Sequence, residues 1–107
     1  MKVFVSQPMN GKTNKEILQE REKIINKLIK EGFEVIESYY SEFNLSNDIK
    51  NKHIYFLGKS IIDMSKCDYA YFADGWEDAK GCVIEHEVAL KYGLTILLEE
   101  GDNIEKS

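Results

Sequence analysis

Apolar positions along this chain alternate between short unbroken runs and longer helical rhythms. Val3-Phe4-Val5 is a brief continuous apolar run, as expected for a strand covered on both faces. The turn-rich stretch Ser6-Gln7-Pro8-Met9-Asn10-Gly11-Lys12 follows it. Thr13-Asn14-Lys15-Glu16 then has the form of a capping box, with Thr13 as N-cap and Glu16 reaching back. Ile17, Leu18, Ile24, Ile25, Leu28 and Ile29 recur at helical spacing, and Gly32 stands where a left-handed C-terminal cap is wanted. Phe33-Glu34-Val35-Ile36 reads as a second strand.

Ser38 to Lys52 is polar, with Tyr39, Tyr40 and Phe43 embedded in it, and a loop of that length in so small a domain is usually functional or mobile. A second helix is predicted from residue 53 to about 66 on the recurrence of Ile54, Leu57, Ile61 and Ile62. Gly58 inside it costs ~1 kcal/mol relative to alanine, which points to a close backbone contact. Residues 68–73 form a third strand, 81–92 a third helix stopped by Gly93, and 94–98 a fourth strand. From Glu99 the tail is polar and expected to fray. This order predicts a doubly wound α/β sandwich, with a parallel sheet of about four strands, right-handed crossovers and helices on both faces. One domain over residues 1–98 and a polar tail over 99–107 account for the chain.

In such sheets ligands bind beyond the carboxyl ends of the strands, where strand order reverses. That rule nominates residues 6–12, 38–43 and 74–81 as three walls of a site. Ser6, Gln7, Pro8, Met9, Asn10, Lys12, Tyr39, Trp76, Gly81 and Cys82 are accordingly the candidate ligand-binding residues. Gln7 to Lys12 match neither a dinucleotide fingerprint nor a P-loop. They do bring Asn10, Gly11 and Lys12 to a helix N-terminus, where backbone amides favour an anion; a plain turn with a solvated lysine is the other reading. Trp76 either stacks on a base or caps the edge of the core.

The third helix holds the most informative residue. At about 100° per residue, Cys82, Ile84, Val88, Ala89 and Tyr92 share one apolar arc, and Glu85 falls in its middle, whereas Glu87 and Lys91 face solvent. A carboxylate on a buried face is costly unless it is paired, protonated or lining a cavity. Glu85 is therefore either a structural acid or a ligand-orienting or catalytic one, and its place at the carboxyl edge favours function. Val83 and Leu90, with His86 between them, form a second stripe that is either edge packing or a subunit contact.

Composition narrows the field. The 107 residues are 43% hydrophobic and 31% charged, an ordinary globular balance that excludes collagen-like repeats and a disulfide scaffold. Nineteen acidic against fourteen basic residues give a formal charge of −5, the wrong sign for neutralising a polynucleotide backbone. Cys67 and Cys82 read as reduced thiols, and with His53 and His86 they lack metal-site spacing, so no metal and no cofactor are expected. The run ended by Pro8 is too short for a signal-peptide core, and no apolar run approaches the ~18 residues of a membrane span. A cytoplasmic protein without membrane contact is the expectation.

Val3-Phe4-Val5-Ser6-Gln7-Pro8-Met9, Cys67-Asp68-Tyr69-Ala70 leading into Asp74-Gly75-Trp76, and the Gly81, Glu85, Ala89 spacing together resemble the nucleoside 2-deoxyribosyltransferase superfamily. The closer likeness is to a short, uncharacterised branch often encoded by bacteriophages. The resemblance covers about residues 1–98 and implies a flavodoxin-like, Rossmann-type sandwich. It also implies that Glu85 is the nucleophile of an N-glycosidic-bond transferase or hydrolase, with Asp74 or Asp78 as acid.

The chain departs from that pattern in three places. An aspartate usual two residues before the motif glycine is replaced by Ala79, with Asp78 displaced by one. A second aspartate aligns near Ser60 or Asp63, and a glycine two residues after the nucleophile is Glu87. The recognition frame is thus kept better than the catalytic one. The first expectation is a pocket for a nucleoside, nucleotide or ADP-ribose-like molecule, in which Glu85 contacts ribose hydroxyls. Sequestration of a host nucleotide immune signal of the cyclic ADP-ribose type, an anti-defence role, is its special case. The likeness also implies a homo-oligomer.

Overall fold

The computed structural model describes residues 1–36, 45–99 and 104–105. Five strands form one sheet: β1 (Lys2–Ser6), β2 (Glu34–Ile36), β3 (Tyr69–Phe72), β4 (Thr95–Leu98) and β5 (Ile104–Glu105). Their order is β2-β1-β3-β4-β5, with the first four parallel and β5 antiparallel along the edge of β4. Three helices, α1 (Asn14–Lys30), α2 (Lys52–Met64) and α3 (Lys80–Lys91), make the crossovers. This is the flavodoxin-like doubly wound arrangement, and its strand order reverses between β1 and β3. The fifth strand is an addition that the polar sequence of the tail did not announce.

Strand alternation divides the core in two. On one face Val3, Val5, Tyr71 and Ala73 meet Ile24 and Leu28 of α1. On the other, Phe4, Ala70, Phe72 and Ile96 meet Met64 at the end of α2 and Ala89 of α3. Ser6 shares the parity of Phe4 and so points to the α2–α3 side.

The start and stop signals of α1 act as the sequence implies. Thr13 caps the backbone N–H of Glu16, and the Glu16 carboxylate accepts from the backbone N–H of Thr13. Gly32 takes a φ of 94° just past the helix, where a side chain would be strained. The buried stripe is narrower than the apolar pattern, though. Ile17, Arg21, Ile24 and Leu28 are buried, while Leu18 and Ile29 face outward. A three-residue edge strand such as β2 needs little cover, so the wider apolar arc exceeds what the sheet can bury.

Gly58 does not show the expected close contact: among the described residues, a Cβ built there would meet nothing within 4 Å. The buried positions of α2 are Ser60 and Met64, and Ile54, Ile61 and Ile62 are exposed. No helix among the described residues is long and apolar enough to cross a membrane.

Leu28 is fully buried and Ile29 is 57% exposed. Leu28→Ala is therefore expected to cost about 2–5 kcal/mol in urea unfolding, and Ile29→Ala within about 0.5 kcal/mol of nothing. Equal losses at the two positions would contradict the azimuth assigned to α1.

Candidate functional site

The site is built where β1 and β3 end. Ser6 closes β1, and its carbonyl accepts from the backbone N–H of Ala73 at 3.0 Å, which holds the two strand ends level. Beyond β3 the chain turns at Gly75, whose φ of 88° places it in the left-handed region. It then passes through a 3-10 turn, Trp76–Asp78, into α3. Pro8, buried after β1, packs against this turn: a Cβ on Gly75 would lie 3.6 Å from its Cγ.

Cys82, Glu85 and Ala89 are the buried residues of α3. Glu85 is thus at the centre of the buried face, whereas Ile84 and Tyr92 of the expected apolar arc are exposed. Only 8% of Glu85 is accessible. The Ser6 hydroxyl donates to its Oε1 at 2.7 Å, and Ser60 from α2 supplies a second hydroxyl. Burial pushes the Glu85 carboxyl above its ordinary value, and the two hydroxyl donors pull it partly back. Cys82 completes the group. Burial drives its thiol up to about 11, with Ser6 as a hydrogen-bond partner and the Glu85 charge adding to the rise. It is a protonated, inert thiol at neutral pH.

The other candidates divide by what they touch. The Gln7 Nε2 donates to the carbonyl of Ile17 at 2.8 Å, so Gln7 pins the first turn of α1 to the end of β1. Met9 and Asn10 are exposed in the turn closed by Lys12 N–H donating to the Met9 carbonyl. The Lys12 ammonium lies 2.9 Å from Glu20, and Glu16 already occupies the amino end of α1. An anion there would have to displace both, so the plain turn is the better reading of this stretch.

The amino end of α3 has no side-chain cap, and a Cβ on Gly81 would meet nothing within 4 Å. The amide-rich helix start open to a ligand is therefore that of α3, beside Glu85.

Trp76 stacks on His86 at 4.2 Å with rings 13° apart, and both rings pack on Phe72. Trp76 caps the core edge and Leu90 also packs inward, whereas Val83 of the same stripe is 42% exposed. Asp74 and Asp78 are exposed, one at the end of β3 and the other in the 3-10 turn. The backbone N–H of Asp74 donates to Glu99 Oε1 at 2.7 Å, which ties the end of β4 to the turn before α3. Tyr39, with Tyr40 and Phe43, lies outside the described residues.

Two contributors escaped sequence reasoning. Ser60 registered only as a place where an aspartate is lacking, and Glu99 as the first residue of a polar tail. A shallow depression lined by Asn26, Lys27, Ile29 and Lys30 is on the last turns of α1, at the opposite end of the sheet. Among the described residues no three His, Cys, Asp or Glu side chains converge as a metal site would require.

Because folding raises the Glu85 pKa, the folded chain holds this proton more tightly than the unfolded one. The associated stability is complete below the ordinary carboxylate value and is lost as pH rises through the raised folded value. Glu85→Gln, neutral at every pH, should flatten that part of the profile and exceed the parent in stability at neutral pH. Urea titrations across the acid-to-neutral range read this directly, and parallel profiles for the two proteins would refute it.

A comparison with curated proteins finds no match, and neither does one with solved structures. The comparison with family models does, over residues 1–98, and it places this chain in the DUF4406 family, a domain of unknown function.

Proposed function

We propose that the chain binds a nucleoside, nucleotide or ADP-ribose-like small molecule across the carboxyl ends of β1 and β3, with Glu85 accepting hydrogen bonds from ribose hydroxyls. The observation that carries this reading is the buried Glu85 carboxyl, joined to Ser6 at 2.7 Å beside a helix start that lacks a side-chain cap. A carboxylate is a good paired acceptor for vicinal hydroxyls, and helix amides suit a phosphate or other anionic group. The resemblance of residues 3–9 and of the Gly81, Glu85, Ala89 spacing to the nucleoside 2-deoxyribosyltransferase superfamily supports the same ligand class.

Holding the ligand fits these residues better than turning it over. Retaining glycosidic chemistry wants an ionised nucleophile and a second carboxyl group roughly 5 Å away to protonate the leaving base. Here the hydroxyl that Glu85 is bonded to is that of Ser6, which is too weakly acidic for that task. Sequestration of a host nucleotide signal such as a cyclic ADP-ribose, by a phage-encoded cytoplasmic protein, is this reading with tight binding and no turnover.

A thermal-shift panel of nucleosides, nucleotides, NAD and cyclic ADP-ribose isomers tests it. A ligand at 100 times its dissociation constant adds about 2.7 kcal/mol, a shift on the order of 10 °C for a domain of this size. The bound molecule should be recovered intact by mass spectrometry after denaturation. Glu85→Gln should weaken binding by about ten- to a hundredfold, through loss of hydrogen bonds to a charged acceptor. Released free base would instead establish the transferase or hydrolase with Glu85 as nucleophile. A panel without any shift, or Glu85→Gln binding as the parent does, sinks the assignment.

A further inference from the structure

The parallel ladder between β3 and β4 ends in a substitution. The Thr95 N–H donates to the Asp68 carbonyl and the Glu99 N–H to the Phe72 carbonyl, each at 3.1 Å. Continued by one rung, the parallel pattern would have the Asp74 N–H donate to the backbone carbonyl of Glu99. It donates instead to the Glu99 side chain, at Oε1 and 2.7 Å. A flexible side chain thus replaces the main chain, at a cost in rotamer freedom that a carbonyl would not incur. The exchange allows a change of direction. The main chain leaves the ladder at Glu99 and pairs again as β5, antiparallel to β4, while the end of β3 stays held.

The held segment launches α3. On the β1 side the Ala73 N–H donates to the Ser6 carbonyl, and on the β4 side the Asp74 N–H donates to Glu99. Hydrogen bonds then run on into the helix, from the N–H of Trp76 to Ala73, Asp78 to Gly75, Ala79 to Trp76 and Val83 to Ala79. Glu85 follows two residues later and is bonded back to Ser6 at 2.7 Å. Ser6, the turn, α3 and Glu85 therefore close a ring, and Glu99 grips that ring at Asp74.

The grip matters because burial contributes little here. Asp74, Gly75, Glu77 and Asp78 are all exposed, and Gly75 next to the grip has a φ of 88°. A hydrogen bond to an ionised carboxylate is roughly twice as strong as one between neutral groups. Glu99 is also the first residue beyond the span matched by the family model.

We infer that Glu99 is a positioning residue of the Glu85 site: its carboxylate fixes the Asp74–Gly75 turn, which sets how α3 presents Glu85 to Ser6 and to a ligand. Only the ligand measurement below rests on the proposed small-molecule function. Trp76, the single tryptophan of the chain, is two residues past Asp74 and stacked on His86 at 4.2 Å, so its fluorescence reports on the turn.

Without ligand, Glu99→Ala should shift Trp76 emission to the red and raise its quenching by acrylamide, with far-UV circular dichroism unchanged. Carbon-13 NMR should show the Glu85 carboxyl titrating nearer its ordinary value than in the parent, as a loosened site admits water. ADP-ribose should bind Glu99→Ala about tenfold more weakly, because a turn formed about a tenth of the time lowers the affinity by that factor. Glu99→Gln, which keeps an Oε1 acceptor, should recover most of all three signals.

Trp76 and Glu85 signals that do not change in Glu99→Ala overturn the inference. A Gln variant that behaves as Ala does overturns it too, since charge and not the bond would then be acting. Loosened signals with undiminished ADP-ribose binding are equally fatal. If the parent binds no ADP-ribose, it is the nucleotide proposal that fails, and the two ligand-free signals still decide the role of Glu99.

Discussion

Glu85 is a carboxyl group taken almost wholly out of water and held by a strand on one side and a helix on another. Burying an acid with no partner costs several kcal/mol, and the fold lowers that cost with two hydroxyl donors and a rise in pKa rather than with a counter-charge. This choice constrains its surroundings. Ser6 must end β1 with the parity of Phe4, α2 must present a small polar residue at position 60, and α3 must turn Glu85 inward where helical period alone would welcome an aliphatic side chain. The left-handed turn at Gly75 and its contact with Pro8 set where α3 begins, and therefore which residue comes round to face Ser6.

The polar connections around the strand ends sort into those already spent and those left free. Gln7 is committed to Ile17, Lys12 to Glu20, Glu16 to Thr13 and Glu99 to Asp74. These bonds fix the loops and leave them little capacity for a ligand. Among the described residues what is left is narrow: the start of α3 at Gly81, with no side-chain cap, and the acid one turn further along. A ligand that spans both needs an anionic or strongly accepting part and, a few ångströms away, a hydroxyl-bearing part. Sugar phosphates have that build.

The sequence revealed element order well because its signals are local. The Thr13–Glu16 capping box, the glycines past α1 and α3, and the apolar runs of β1, β3 and β4 each act within a few residues of themselves. The inward placement of Glu85 was legible for the same reason, from its angle to Cys82 and Ala89. The orientation of each helix against the sheet was not. Periodicity fixes angles within a helix but not which azimuth meets the sheet, so Leu18, Ile29, Ile84 and Tyr92 counted as core and are exposed. Ser60 carries no hydropathy signal at all. Its role depends on a helix distant in sequence, as does that of Glu99, whose partner is 25 residues away. The anion site expected at α1 failed for a subtler reason: the capping box that announced the helix also filled its amino end.

The misplaced aliphatic residues point back to the size of the chain. Among the described residues of this small sheet, one helix lies on one face and two on the other, so none of the three is enclosed on all sides. Small domains bury a smaller share of their surface, and the remainder must be polar or shared with a neighbour. On α2 the inner side offers Ser60 to Glu85, and the outer side exposes Ile54, Ile61 and Ile62. A serine that faces the buried acid and the exposed apolar surface therefore belong to a single short helix. Any contact that restrains that helix from outside also restrains the distance between Ser60 and Glu85 inside.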